Sequence, residues 1–103
     1  MKLASFLRTL GSVCVFVFLT LQTVQADEID DALFEVFGCE TGYTYDYTVV
    51  SPNGMYFGGY QFDLGTWRHV GGQGYPHEAS FEEQHYRARL LFLERGRTPW
   101  PHC

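Results

Sequence analysis

Glu40 stands in the stretch FGCETGYTYDY, residues 37–47, directly after a cysteine and ahead of a run of tyrosines. A carboxyl group that stays protonated near neutral pH can deliver a proton, the task of a general acid. The residues before it predict a helix that ends there. Ile29, Leu33, Val36 and Phe37 recur at helical spacing, acids crowd the start, and Gly42 is placed to stop the chain turning. Glu40 therefore falls on the last turn, where the partial negative charge of the carbonyl ends disfavours its ionised form and raises its pKa.

A second carboxylate would change the chemistry available. Asp46, between two tyrosines, and Asp63, ahead of a short helical stretch, are the two acids in the following region. Asp46 reads as a solvated or hydrogen-bonded strand residue and Asp63 as a helix cap. The four histidines, His69, His77, His85 and His102, lack the tight spacing of metal ligands, so neither a metal nor another cofactor is expected. Trp67 divides evenly between a core residue and a surface that lines a groove, and Gln61 between a groove residue and a partner for buried backbone groups. Trp100 reads as packing.

These residues need elements to hold them. The segment YTYDYTVVSPNGMYFGGYQF is rich in Tyr, Thr and Val, and its Ser51-Pro52-Asn53-Gly54 is a turn signal, which predicts a small β-hairpin or irregular β-lobe. Gly58-Gly59 marks a sharp bend or a close approach. DLGTWRHVGG predicts a short helix capped by Asp63 and stopped by Gly71-Gly72. Ser80 and Glu83 predict a capping box for the longest helix, closed by Gly96, with Tyr86 or Arg87, Leu90, Leu91 and Leu93 as its buried stripe. Two prolines stiffen the tail RTPWPHC.

The chain opens with a basic segment, an apolar run over 10–21 and Val24-Gln25-Ala26, the layout of a secretory signal over residues 1–26. The apolar run falls short of the about 20 residues a membrane span needs, so no stable membrane association is expected after cleavage. Cys14 would leave with the signal, and Cys39 and Cys103 would then pair as a disulfide in a single exported domain over 27–103. The formal net charge is −5, from 7 basic and 12 acidic residues, and losing Lys2 and Arg8 makes it more negative still. Nucleic acid is thereby a poor partner, since phosphate binding needs a basic face. A polymer gripped by this chain must be held by aromatic stacking and hydrogen bonds.

The runs CETG, GMYFGGYQFDLGTWRHVGGQGYPHEAS, EEQHYRARLL and PWPHC occur in an order that resembles the core domain of the resuscitation-promoting factors of actinobacteria. The resemblance covers residues 32–103. It implies an α+β, mainly helical, lysozyme-like domain with a short β-lobe and one disulfide, Cys39 to Cys103. It further implies a secreted monomer in the cell wall that cleaves peptidoglycan glycan strands at the β-1,4 bond after N-acetylmuramic acid, with a wall endopeptidase as an expected partner. Glu40 falls on the catalytic glutamate, Gln61 on a cleft glutamine, and Tyr56, Thr66 and Trp67 on positions that line or shape the sugar groove. The chain departs from the pattern after Glu40, where Thr41-Gly42-Tyr43 and Thr44-Tyr45 replace Ser-Gly-Gly and Asn-Trp, and where 46–53 adds length. Two rival readings stay open: a groove that binds glycan without turnover, and a hydrolase in place of an anhydro-forming transglycosylase.

Overall fold

The computed structural model describes residues 28–103; the expected signal segment and Cys14 lie outside them. Three α-helices carry the fold among the described residues. The first, α1, covers 28–40 in the described chain, α2 covers Leu64–His69 and α3 covers Phe81–Arg95, with a 3₁₀ turn at Pro76–Glu78 before α3. The segment 41–62 between α1 and α2 forms the expected lobe. Its pairing is limited to the isolated antiparallel bridges Val50–Phe57 and Phe57–Phe62, so it is an irregular lobe and not a ladder of strands. The architecture is α+β and mainly helical, with the lobe on one side of the helices. No helix among the described residues is long and apolar enough to cross a membrane.

Each helix ends where its sequence dictates. Gly42 adopts φ 62°, its N–H bonds to the Cys39 carbonyl at 3.2 Å, and the N–H of Tyr43 reaches back to Gly38 at 2.7 Å. That pair of bonds closes α1 with a Schellman motif, which a left-handed glycine makes inexpensive. Asp63 caps α2 by accepting from the N–H of Thr66, and Ser80 caps α3 by accepting from that of Glu83. The capping box is only half made, because the Glu83 carboxylate turns to Arg87 Nε at 2.7 Å. That exposed-side i,i+4 pair competes with the return bond to Ser80.

The core gathers Leu33, Val36 and Phe37 of α1, Tyr60 and Phe62 of the lobe, Trp67 and Val70 of α2, Ala88 and Leu91 of α3, and Trp100 of the tail. The α1 face is the one the periodicity predicts. The α3 stripe is different: Gln84, Ala88 and Leu91 face inward, while Tyr86 and Leu93 are more than half exposed. Tyr86 and Leu93 each stand two positions, or about 200°, from a core residue, which puts them on the opposite side of the helix.

Gln84 explains how the lobe is fixed. Fully buried, it accepts from the N–H of Gly59 at 2.8 Å and donates to the carbonyls of Tyr47 and Ala79, each at 3.0 Å. Two backbone groups of the lobe, the Gly59 N–H and the Tyr47 carbonyl, are thus satisfied by one side chain, as buried polar groups require. Gly58, at φ +82°, has no room for a Cβ, which would run into that amide oxygen.

Candidate active site

Glu40 is the last residue of α1, so the helix stop at Gly42 sets its place directly. The Thr41 hydroxyl donates to the Phe37 carbonyl at 2.8 Å and accepts from the N–H of Tyr45 at 3.1 Å, which holds the turn beyond Glu40 against the helix end. The carboxylate opens on a hollow of about 280 Å³. Tyr56 and Gln61 of the lobe line one side and Pro99 to His102 of the tail line the other. An adjoining hollow of about 310 Å³ shares Tyr56, Gln61, Pro99, Trp100 and Pro101 and continues past Asp63 and Thr66 to Arg95 at the end of α3. Together they make one groove that runs between lobe and tail, with Glu40 towards one end.

Partial burial pushes the Glu40 carboxyl above its ordinary value, and the charge of His102 pulls it back in part. The direction is the one its place on the helix predicts; the cause is removal from water. Among the described residues Glu40 is the only carboxylate on the first hollow. Asp63, on the second, has both oxygens engaged by Thr66, at 2.7 Å from the backbone N–H and 2.9 Å from the hydroxyl. Asp46 is fully solvated and accepts from the backbone N–H and the hydroxyl of Thr48 at 2.9 and 2.6 Å. Those bonds hold its carboxyl below the ordinary value, so it is ionised and turned into its own loop.

The groove gathers four of the five residues named for it from sequence: Glu40, Tyr56, Gln61 and Thr66. Gln61 serves the backbone and also borders the groove. Its side-chain amide donates to the Gly58 carbonyl at 2.9 Å, and the residue also lines both hollows. It sits at φ 50°, a left-handed conformation that is sparsely populated for residues other than glycine and that clusters at functional sites. Trp67 is a correction. It has no exposed surface, meets Phe62 edge-on at 5.1 Å, and its indole N–H donates to the Gln73 carbonyl at 3.2 Å. A ring so enclosed offers no face to a ligand; α2 uses it to seat itself on the core.

The tail is the wall that sequence reasoning missed. Cys39 and Cys103 are bonded, with Cα atoms 5.8 Å apart, and Trp100 donates its indole N–H to the Tyr60 carbonyl at 2.9 Å. Those two anchors press Pro99 to His102 along the groove. The signal was in the sequence: residues flanking two bonded cysteines must be neighbours, which places His102 beside Glu40. Behind the site, the Tyr60 hydroxyl meets His85 Nδ1 at 2.7 Å, and His85 Nε2 meets Asp30 at 3.0 Å, joining lobe, α3 and α1. Burial, with the Asp30 charge, keeps the Tyr60 phenol protonated.

Comparison with known proteins supplies the family. The model of the transglycosylase-like domain matches residues 28–103. Resuscitation-promoting factor Rpf of Micrococcus luteus is 48% identical over 65 residues, 63% of this chain and 28% of that protein. RpfE of Mycobacterium tuberculosis is 40% identical over 65 residues, 63% of this chain and 36% of its own length. RpfD of the same species is 35% identical over 102 residues, 95% of this chain and 62% of that relative. The chain therefore spans from about a quarter to under two thirds of these relatives. With a family match across every described residue and the disulfide and groove in place, the chain belongs to the transglycosylase-like domain family of the resuscitation-promoting factors.

Proposed function

We propose that this chain is a secreted glycosidase of the cell wall that cleaves peptidoglycan strands at the β-1,4 bond between N-acetylmuramic acid and N-acetylglucosamine. The observation that supports it most is the lone, half-buried Glu40 with a raised pKa on a groove open to a chain-like substrate. Glycosidic cleavage needs a protonated acid at the bridging oxygen and a group to satisfy the anomeric carbon. A retaining enzyme with two carboxylates would place the second about 5 Å from the first. Asp46 and Asp63 are both tied into their own turns, so the substrate itself is left to supply that group. Glu40 protonates the leaving oxygen, and the C–O bond breaks. The resulting carboxylate takes the proton of the muramic 6-hydroxyl as that oxygen closes on the anomeric carbon. The product is a 1,6-anhydro end, and the acid is restored for the next turnover.

Tyr56 and Gln61 would hold the sugars beside the acid, and the proline-stiffened tail would keep the strand in line. Growth or resuscitation of the producing cell is the physiological role that this activity would serve. Mass spectrometry of digested peptidoglycan tests the reading. Soluble fragments with 1,6-anhydro ends support it, fragments heavier by one water assign a hydrolase, and glycan retained on the protein without release assigns a binding module.

A further inference from the structure

The far end of the groove carries a charge that the proposed chemistry does not use. Arg95, the last residue of α3, is exposed and lines the second hollow with Thr66 and Leu91. The same three residues border a further depression between α2 and α3, so the groove runs on past Glu94 and His69. The other arginines of α3 and the tail are engaged. Arg87 binds Glu83 at 2.7 Å and the Val70 carbonyl at 2.8 Å, Arg89 faces Asp30 at 3.3 Å, and Arg97 holds Glu35 at 2.8 Å. Arg95 has no ion pair among the described residues. The acids that line the same hollows are occupied elsewhere: Asp63 by Thr66, and Glu94 by His69 Nε2 at 2.9 and 3.0 Å.

An arginine offers a planar, permanently charged fork that matches a carboxylate in two parallel hydrogen bonds. In a chain of net charge −5, an unengaged fork on the groove is the feature that would attract an anion there. We propose that Arg95 forms a subsite for a carboxylate borne by the glycan strand, so that the groove prefers acidic strands to neutral ones. The inference rests on the glycan-cleaving reading above. The carboxylate has two sources, the lactyl group of a muramic residue or the peptide attached to it.

The test measures binding, without turnover, to Glu40→Gln protein with and without Arg95→Gln. Three soluble probes are used: muropeptide-bearing glycan fragments, the same fragments stripped of peptide by an amidase, and neutral chitotetraose. The expected result is 3- to 10-fold tighter binding of the peptide-bearing fragments than of chitotetraose, weakening as salt rises and vanishing with Arg95→Gln, while Arg95→Lys keeps part of it. Preference that survives peptide removal assigns the lactyl carboxylate; preference lost with the peptide assigns the stem. Equal binding of acidic and neutral probes, or a preference unchanged by Arg95→Gln, overturns the subsite and leaves the glycan reading standing. Absence of binding by all three probes overturns both.

Discussion

A carboxyl group donates a proton at neutral pH only if its surroundings penalise the charged form, and at Glu40 that penalty is burial between lobe and tail. Activity should therefore be greatest on the acidic side and fall as pH rises through the raised Glu40 value, because the donor is then lost. His102 moves that limit, since a positive charge at that ring favours the carboxylate. In a kcat–pH profile, His102→Leu should shift the alkaline limb to higher pH; a shift to lower pH would contradict the assignment. Asp46 makes the opposite case. Solvated and bonded to Thr48, it should be dispensable, so Asp46→Asn should keep more than half of wild-type turnover in a wall-digestion assay. The place of Glu40 was legible because it stands beside a cysteine at a helix stop; its proposed role as the acid came from the family resemblance. His102 was overlooked because its neighbourhood exists only through the disulfide. Trp67 could not be placed at all, since a tryptophan on a short helix suits a core and a groove equally well.

Among the elements, the helices were legible because their stops and caps are local chemistry: Gly42 for α1, Asp63 for α2 and Ser80 for α3. The lobe was legible in composition but not in form. Its turns are held by bonds within the lobe, such as Gly58 N–H to the Val49 carbonyl at 2.7 Å. Its seat on α3 comes from Gln84, thirty-seven residues away from one of the groups it holds, and a glutamine within a helix gives no sign in sequence of being buried. The α3 stripe was legible in part: Leu91 is buried and Leu90 packs against the core, while Tyr86 and Leu93 satisfy an apolar count yet face away from it. Gln84→Ala would leave the Gly59 N–H and the Tyr47 carbonyl unpaired in the interior. It should cost about 2–3 kcal/mol in denaturant unfolding. Loss of less than about 0.5 kcal/mol would show that the lobe is held by something else.

For the molecule as a whole, one covalent bond sets both stability and the groove. Cys39–Cys103 closes a loop with a sequence separation of 64 residues, which by chain entropy is worth about 4 kcal/mol. A domain this small has a thin core and depends on such a staple. Because Cys39 adjoins Glu40 and Cys103 adjoins His102, reduction should also free the tail wall of the groove from the helix end that carries Glu40. Reducing agent should lower the unfolding midpoint sharply and abolish turnover at temperatures where the oxidised protein is still folded; unchanged turnover in the reduced protein would separate the bond from the site. The claim that joins these scales is that one side chain delivers the proton. Its most direct measurement is the rate at which soluble glycan is released from purified peptidoglycan by Glu40→Gln protein against wild type at equal concentration. The expected result is a fall of about 10²–10⁴-fold, the usual worth of a general acid. Release by Glu40→Gln within tenfold of wild type would mean that the proton comes from elsewhere.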